Sequence, residues 1–171
     1  MGSPACDIFQ ARFEIAGKRR FLDEIRAIAD GSGTHIIFFD ADAVAGREHV
    51  EAALRHAWRS YVHGTPIANS FEMEALLFAA GTRQCSAATG FGIHEGENRA
   101  YICICPPSAA AADRLGALVT YVEEDWEMIT PEDRERLMAL FSVTPEEVEA
   151  VGVHRFRELV IERVALLEVY R

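Results

Sequence analysis

The sequence has no apolar run of the roughly 18 residues a helix needs to cross a bilayer. Its start lacks a basic stretch followed by an apolar core, so no secretory signal is expected. It has only four cysteines, Cys6, Cys85, Cys103 and Cys105, all among apolar neighbours and without the spacing of a disulfide framework. That usage predicts a reducing, cytoplasmic setting. Positive charge is also scarce. The net charge is −10, which argues against a general nucleic-acid binder. The negative charge is unevenly placed, since residues 121–153 hold ten acids and two arginines. A basic patch elsewhere on the chain can therefore still engage phosphates.

Catalytic signatures are missing as well. There is no Gly-x-Ser-x-Gly and no Ser/His/Asp order that stands out. Gly31-x-Gly33 comes after a helical pattern and before a strand, the wrong order for a phosphate-cradling loop. Gly90-x-Gly92 has no following lysine or serine to reach a phosphate or a metal. Cys103 and Cys105 share one face of a strand and, with Cys85, could supply three metal ligands. No paired Cys-x-x-Cys or His-x-x-x-His spacing supports a zinc site, and core packing is the better account. His49, His56 and His63 recur every seven residues, about 10 Å apart along a helix, too far to share one metal. They read as solvated or packing residues. Asp40 and Asp42 could bind a hard cation, but they stand where a strand hands over to a helix and read as caps. No metal and no cofactor is expected. The rival reading keeps a small-molecule or metal-binding enzyme, supported by the histidines and cysteines.

Half of the 171 residues are hydrophobic, ample for one packed domain over residues 1–171. Residues 7–15 alternate apolar and polar, the period of a half-buried strand. Residues 18–30 form an amphipathic pattern with Phe21, Leu22, Ile25, Ile28 and Ala29 on one side. Residues 35–39 read as a strand buried on both faces. A helix follows from about 45 to 62, with His49, Val50, Ala53, Leu54, Ala57, Trp58 and Tyr61 on its apolar side. Residues 94–98 read as a turn and 99–105 as a third strand, broken by Pro106-Pro107. A helix capped by Ser108 is expected to run to Val122, weakened at Gly116. Thr130-Pro-Glu-Asp133 and Thr144-Pro-Glu-Glu147 are two near-identical helix starts. The fold class is α/β of the α+β kind: a small mixed, mostly antiparallel sheet packed with several helices. A fourth or fifth strand is sought in residues 93–98 or 119–129.

The last helix, from His154 on, is apolar on two sides. Phe156, Leu159, Val160, Val164, Leu166, Leu167 and Tyr170 make a broad face; Ile161, Ala165 and Val169 form a second ridge. Such a helix is buried by its own domain or lends one face to a partner. A self-associating structural protein, pairing through this ridge, is a further alternative.

The most specific stretch is 69–93. Asn69 and Glu72 have the spacing of a capping box. Phe71, Ala75, Leu76, Phe78 and Ala79 recur at helical spacing, and Gly81 ends the helix. A second short helix, 85–89, runs on to Gly90-Phe91-Gly92. Glu74 and Arg83 are placed either to pair within this hairpin or to leave Arg83 free for a phosphate or a partner carboxylate. Lys18-Arg19-Arg20 is the densest basic cluster, either a solvated helix start or a phosphate contact.

The order Asn69, Glu74-Ala-Leu-Leu-Phe-Ala-Ala-Gly-Thr-Arg-Gln84, Ala87-Ala88 and Gly92-Ile93 resembles the signature of the kinase-binding subunits of the KEOPS complex (the TPRKB-like family). Asn69, Glu74, Gly81, Arg83 and Gln84 are its motif positions. Cys85 departs from the branched apolar residue usual there. The resemblance implies a mixed sheet surrounded by helices, with His49 as a histidine near the start of the helix before the hairpin. It implies a non-catalytic accessory subunit. Its partners would be the small atypical kinase-ATPase of the complex and tRNA, gripped at its single-stranded CCA end during threonylcarbamoyladenosine formation. Ile161, Val164, Ala165, Leu167, Val169 and Tyr170 are the expected kinase-binding residues. Lys18, Arg19 and Arg83 are the expected tRNA-binding residues. No membrane partner is expected, and the isolated chain should be a monomer or a weak self-associator.

Overall fold

Nine alternating residues build the strand around which the sheet forms. The computed structural model describes residues 3–170, Tyr170 through its backbone alone. Strand β1 (Asp7–Ile15) pairs with β3 (Gly96–Cys105) from Asp7↔Ile104 to Ile15↔Gly96. β2 (His35–Asp40) lies on the far side of β3, and β4 (Thr120–Val122) on the far side of β1. The order is β2-β3-β1-β4, and every pairing is antiparallel. β3 starts three residues before the expected Arg99 because the ladder to β1 draws residues 96–98 in. The Asn98 amide closes the turn before them, donating to the His94 and Gly96 carbonyls at 2.7 and 3.0 Å.

Alternation sends the side chains of this sheet to two cores. One face carries Ala11, Phe13, Ile15, Ile36, Phe38, Ile102 and Ile104 under α1 (Lys18–Ser32) and α5 (Ala109–Leu115). The other carries Ile37, Phe39, Tyr101, Cys103 and Cys105 under α2 (Arg47–Val62), α3 (Phe71–Ala80) and α8 (Phe156–Tyr170). A third cluster joins Phe91 and the start of α8 to α6 (Pro131–Phe141) and α7 (Pro145–Val151). Between α3 and β3 lie the short α4 (Cys85–Ala88) and a 3-10 turn, Thr89–Phe91. A second 3-10 turn, Val153–Arg155, precedes α8.

Thr130 and Thr144 both form full capping boxes, with Asp133 and Glu147 respectively. Four other expectations need correction. The N-cap of α3 is Ser70, whose hydroxyl accepts the Met73 N–H at 3.1 Å, because Ser70 holds the extended backbone a cap requires. Glu72 turns instead to His35 Nδ1, at 3.1 Å. The helix begun at Ser108 stops at Leu115, with Gly116 as its C-cap, and the chain returns as β4. Asp40 and Asp42 cap no helix: Asp40 accepts the Asp42 N–H at 2.9 Å, and Asp42 binds Arg99 at 2.6 Å. Finally, Cys6 and Cys105 form a disulfide across 99 residues of sequence. The β1–β3 register carries Cys6 to the position opposite Cys105, one step beyond the Asp7↔Ile104 pair. The inference of a reducing setting from cysteine usage therefore loses its basis. Cys103 is buried and free, and burial pushes its thiol up; Cys85 is exposed and free.

Candidate partner-binding surfaces

The hairpin is built from its buried polar groups outward. Glu74 lies fully buried in α3. Its carboxylate accepts the N–H of Ile67 at 2.9 Å and of Ala68 at 2.7 Å, and Tyr61 Oη donates to the Ala68 carbonyl at 3.3 Å. The glutamate thus holds the loop that enters the hairpin. It makes no ion pair with Arg83, the alternative left open by the sequence, because the two residues stand at opposite ends of α3. His49, also fully buried, fastens the other end. Its Nδ1 accepts the Ala45 N–H and its Nε2 donates to the Ala79 carbonyl, both at 2.9 Å. That carbonyl is one of those a helix leaves unpaired in its last turn. Burial lowers the imidazole to about 4, so it is neutral and protonated on Nε2.

Gly81 ends α3 in the left-handed conformation, φ 65°. A Cβ there would also come within 3.2 Å of the Arg163 carbonyl on α8. The break is therefore pressed against the last helix, and the chain beyond it is turned outward. Arg83, Gln84 and Cys85 are exposed, as is Asn69 at the other end of the motif. Of the motif positions, Glu74 and Gly81 organise the backbone, while Asn69, Arg83 and Gln84 face solvent.

The last helix divides the expected kinase-binding residues. Val164 and Leu167 are sealed into the core beside α2 and α3 and offer no docking surface. Ile161 is half-buried, and Ala165 is exposed. Val169 is 73% exposed, the most exposed large apolar side chain among the described residues. The Tyr170 side chain lies outside the described residues. Glu168 bolts α8 to α2 through His56 Nδ1 at 2.6 Å and Arg59 at 3.5 Å. Burial lowers the His56 ring, and Glu168 partly offsets that. Leu166 is also exposed, as are Trp58 and Val62 on α2. Sequence reasoning missed these three as surface residues: it placed Trp58 and Leu166 on apolar faces and left Val62 unassigned, while the i, i+4 spacing of Trp58 and Val62 at one edge of α2 was the available signal.

The expected tRNA-binding residues do not share a face. Lys18 and Arg19 open α1, on one side of the sheet, while Arg83 follows α3, on the other. The Glu95 carboxylate already accepts the Gly17 and Lys18 N–H groups, so a phosphate cannot use them. Arg83 has no ion pair among the described residues, and no group of three or more His, Cys, Asp or Glu there could hold a metal ion.

Part of the acidic region is a strap over the sheet. Glu124 binds Arg12 at 2.8 Å, and Trp126 packs edge-on against Tyr101 with the Arg99 guanidinium 4.8 Å from its centroid. The Glu127 carboxylate accepts the Arg47 N–H at 3.0 Å, capping α2 where Gly46 has no side chain to do so.

A family model described as kinase binding protein CGI-121 matches residues 21–168, from the first turn of α1 to the last turn of α8. The chain belongs to the CGI-121 family. This is the KEOPS-subunit family that the hairpin motif resembles. The CGI-121 match takes in the hairpin, the His49 fastening and Ala165 and Leu166 on α8, stops one residue short of Val169, and leaves out β1 and Cys6. No curated protein matches the chain. Among the described residues, no helix is long and apolar enough to cross a membrane.

Proposed function

We propose that this CGI-121 protein is a non-catalytic accessory subunit of the KEOPS tRNA threonylcarbamoyladenosine-modification complex. It binds the small atypical kinase-ATPase and helps recruit tRNA through its CCA end. The observation that carries this reading is the pairing of the family match with an apolar ridge, Ala165, Leu166 and Val169, left uncovered on a helix whose other side is sealed. An exposed apolar ridge on an otherwise committed helix is the feature a partner covers. Arg83, exposed at the hairpin tip, is the assigned tRNA contact there, with Lys18 and Arg19 as a separate electrostatic contribution. The isolated chain is a monomer or weak self-associator, and the compartment is the cytoplasm. The Cys6–Cys105 bridge fits that compartment in a cell that keeps intracellular disulfides, as hyperthermophiles do.

The test is a titration of labelled tRNA, intact and with its CCA end removed, into the protein alone and with its cognate kinase. Binding that needs the CCA end, together with a stable kinase complex, is the expected result. Val169→Asp should weaken the kinase complex, and Arg83→Ala should weaken tRNA binding without lowering the melting temperature. Kinase binding with no tRNA binding would reduce the role to scaffolding. Loss of both would overturn the reading.

A further inference from the structure

β1 is paired unequally on its two sides. Toward β3 every residue from Asp7 to Ile15 has a partner. Toward β4 only Gln10, Ala11 and Arg12 do. Among the described residues, no backbone hydrogen bond reaches Asp7, Ile8 or Phe9 from the β4 side. The reason lies in Gln10. Its Nε2 donates to the Glu124 carbonyl at 3.0 Å, and the Glu124 N–H donates to its Oε1 at 2.7 Å. A side-chain amide thus takes the place of the next backbone rung and turns the chain out of the sheet. Where β4 would have continued there is a trough of about 590 Å³, lined among others by Ile8, Phe9, Tyr101, Glu123 and Asp125, with Arg47, paired to Glu51 at 3.8 Å, as its one cation.

Open strand edges template pairing with another chain, and native proteins usually cover or interrupt them. This one is uncovered and also held in place. Cys6, the residue before β1, is bonded to Cys105 at the end of β3, so the free edge begins at a covalent rung. A strand already fixed in its bound conformation binds without a further ordering cost. The surrounding charge selects the occupant. Asp7, Glu123 and Asp125 are exposed and have no basic partner among the described residues. Two copies of this edge would bring those acids together, which disfavours self-pairing; a basic chain would neutralise them. Beside the edge, the Phe9 and Tyr121 rings pack at a tilt of 55° with centroids 5.3 Å apart, Tyr121 is 37% exposed, and the pair offers an apolar seat for alternate side chains.

We propose that the Asp7–Phe9 edge takes up an extended basic segment of another protein by strand addition. Backbone hydrogen bonds to β1 supply the affinity, an apolar side chain rests on the Phe9–Tyr121 pair, and lysines or arginines meet Asp7, Glu123 and Asp125. The site is independent of the α8 ridge and of the hairpin tip.

The experiment titrates the isotopically labelled full chain, disulfide intact, with a synthetic octapeptide of alternating valine and lysine. Two versions of the peptide carry backbone N-methyl groups on one or the other set of alternate residues, and a third replaces lysine by glutamate. The expected result is that the Asp7, Ile8 and Phe9 amide signals shift and that those facing the peptide gain protection from hydrogen exchange. One N-methylated version should lose binding while the other keeps it, because only one edge of the added strand faces β1. The glutamate peptide should not bind, and Glu123→Lys should weaken the lysine peptide by about tenfold. Absence of binding at millimolar peptide would overturn the proposal. So would shifts confined to other surfaces, equal binding of both N-methylated versions, or sedimentation showing that the protein protects these amides by pairing with itself.

Discussion

Arg12 and Arg99 stand directly opposite each other on β1 and β3. Like charges at facing positions destabilise a sheet, and each guanidinium here has its own carboxylate, Glu124 for Arg12 and Asp42 for Arg99. The bond from Arg12 holds the Glu124 carboxyl below its ordinary range. The pairing contribution is therefore present above that ordinary range and is lost as pH falls through the lowered value. Glu124→Gln should release the strap. The expected readout is a red shift of Trp126 fluorescence and several-fold faster amide exchange over residues 124–127, with the hairpin unaffected.

The neutral His49 imidazole makes stability depend on pH in a defined window. Its ring sits at about 4 in the folded protein against about 6.5 when unfolded. The unfolded chain therefore binds the extra proton first. Stability is full above pH 6.5 and falls as the pH drops toward 4, by on the order of 3 kcal/mol. Urea denaturation across this range should show the slope, and His49→Gln should remove most of it.

Glu74→Gln can keep a carbonyl oxygen where the Ile67 and Ala68 N–H groups both point, but it buries an NH₂ donor where the second carboxylate oxygen stood, 3.1 Å from the Ile67 nitrogen. An unsatisfied buried donor costs about 1–3 kcal/mol. The melting temperature should fall accordingly, and the Ile67 and Ala68 amides should exchange faster than those in the middle of α3. Unchanged exchange at those two positions would contradict the role assigned to Glu74.

Two glycines separate backbone strain from close approach. Gly81 and Gly96 both have positive φ, 65° and 87°. A Cβ at Gly96 meets nothing within 4 Å, whereas one at Gly81 meets the Arg163 carbonyl at 3.2 Å. Gly96→Ala should cost about 1 kcal/mol from backbone strain alone. Gly81→Ala should cost more and should also loosen α8, visible as faster exchange around Arg163.

What the sequence made legible was local. The alternation of residues 7–15 and the Thr-Pro-acid starts at Thr130 and Thr144 need no distant partner to take effect, and they appear as read. α1 begins at Lys18 as read and α2 within two residues of its expected start, but neither has a local side-chain cap. α1 is completed by Glu95 and α2 by Glu127, carboxylates about 80 residues away that no window along the chain can connect. The Asn69 assignment failed for a finer reason: Asn69 and Ser70 can both cap, and backbone conformation decided between them. On α8 the two apolar faces were visible, but which one the domain covers depends on α2 and α3. Val164 and Leu167 therefore went to the core and Val169 to solvent. Arg83 was legible as the conspicuous cation of the hairpin, and its exposure follows from the turn at Gly81.

The Cys6–Cys105 bond closes a covalent ring that contains β1, α1, β2, α2, α3, α4 and β3, with α5 through α8 outside it. A protease that cuts once inside the ring leaves both ends attached, and the nicked protein migrates as one piece until it is reduced. A cut beyond Cys105 separates the chain into parts joined only by packing. In non-reducing electrophoresis after brief digestion, the exposed loop at residues 63–66 should therefore appear resistant, while any cleavage in the acidic strap should release the carboxy-terminal helices at once.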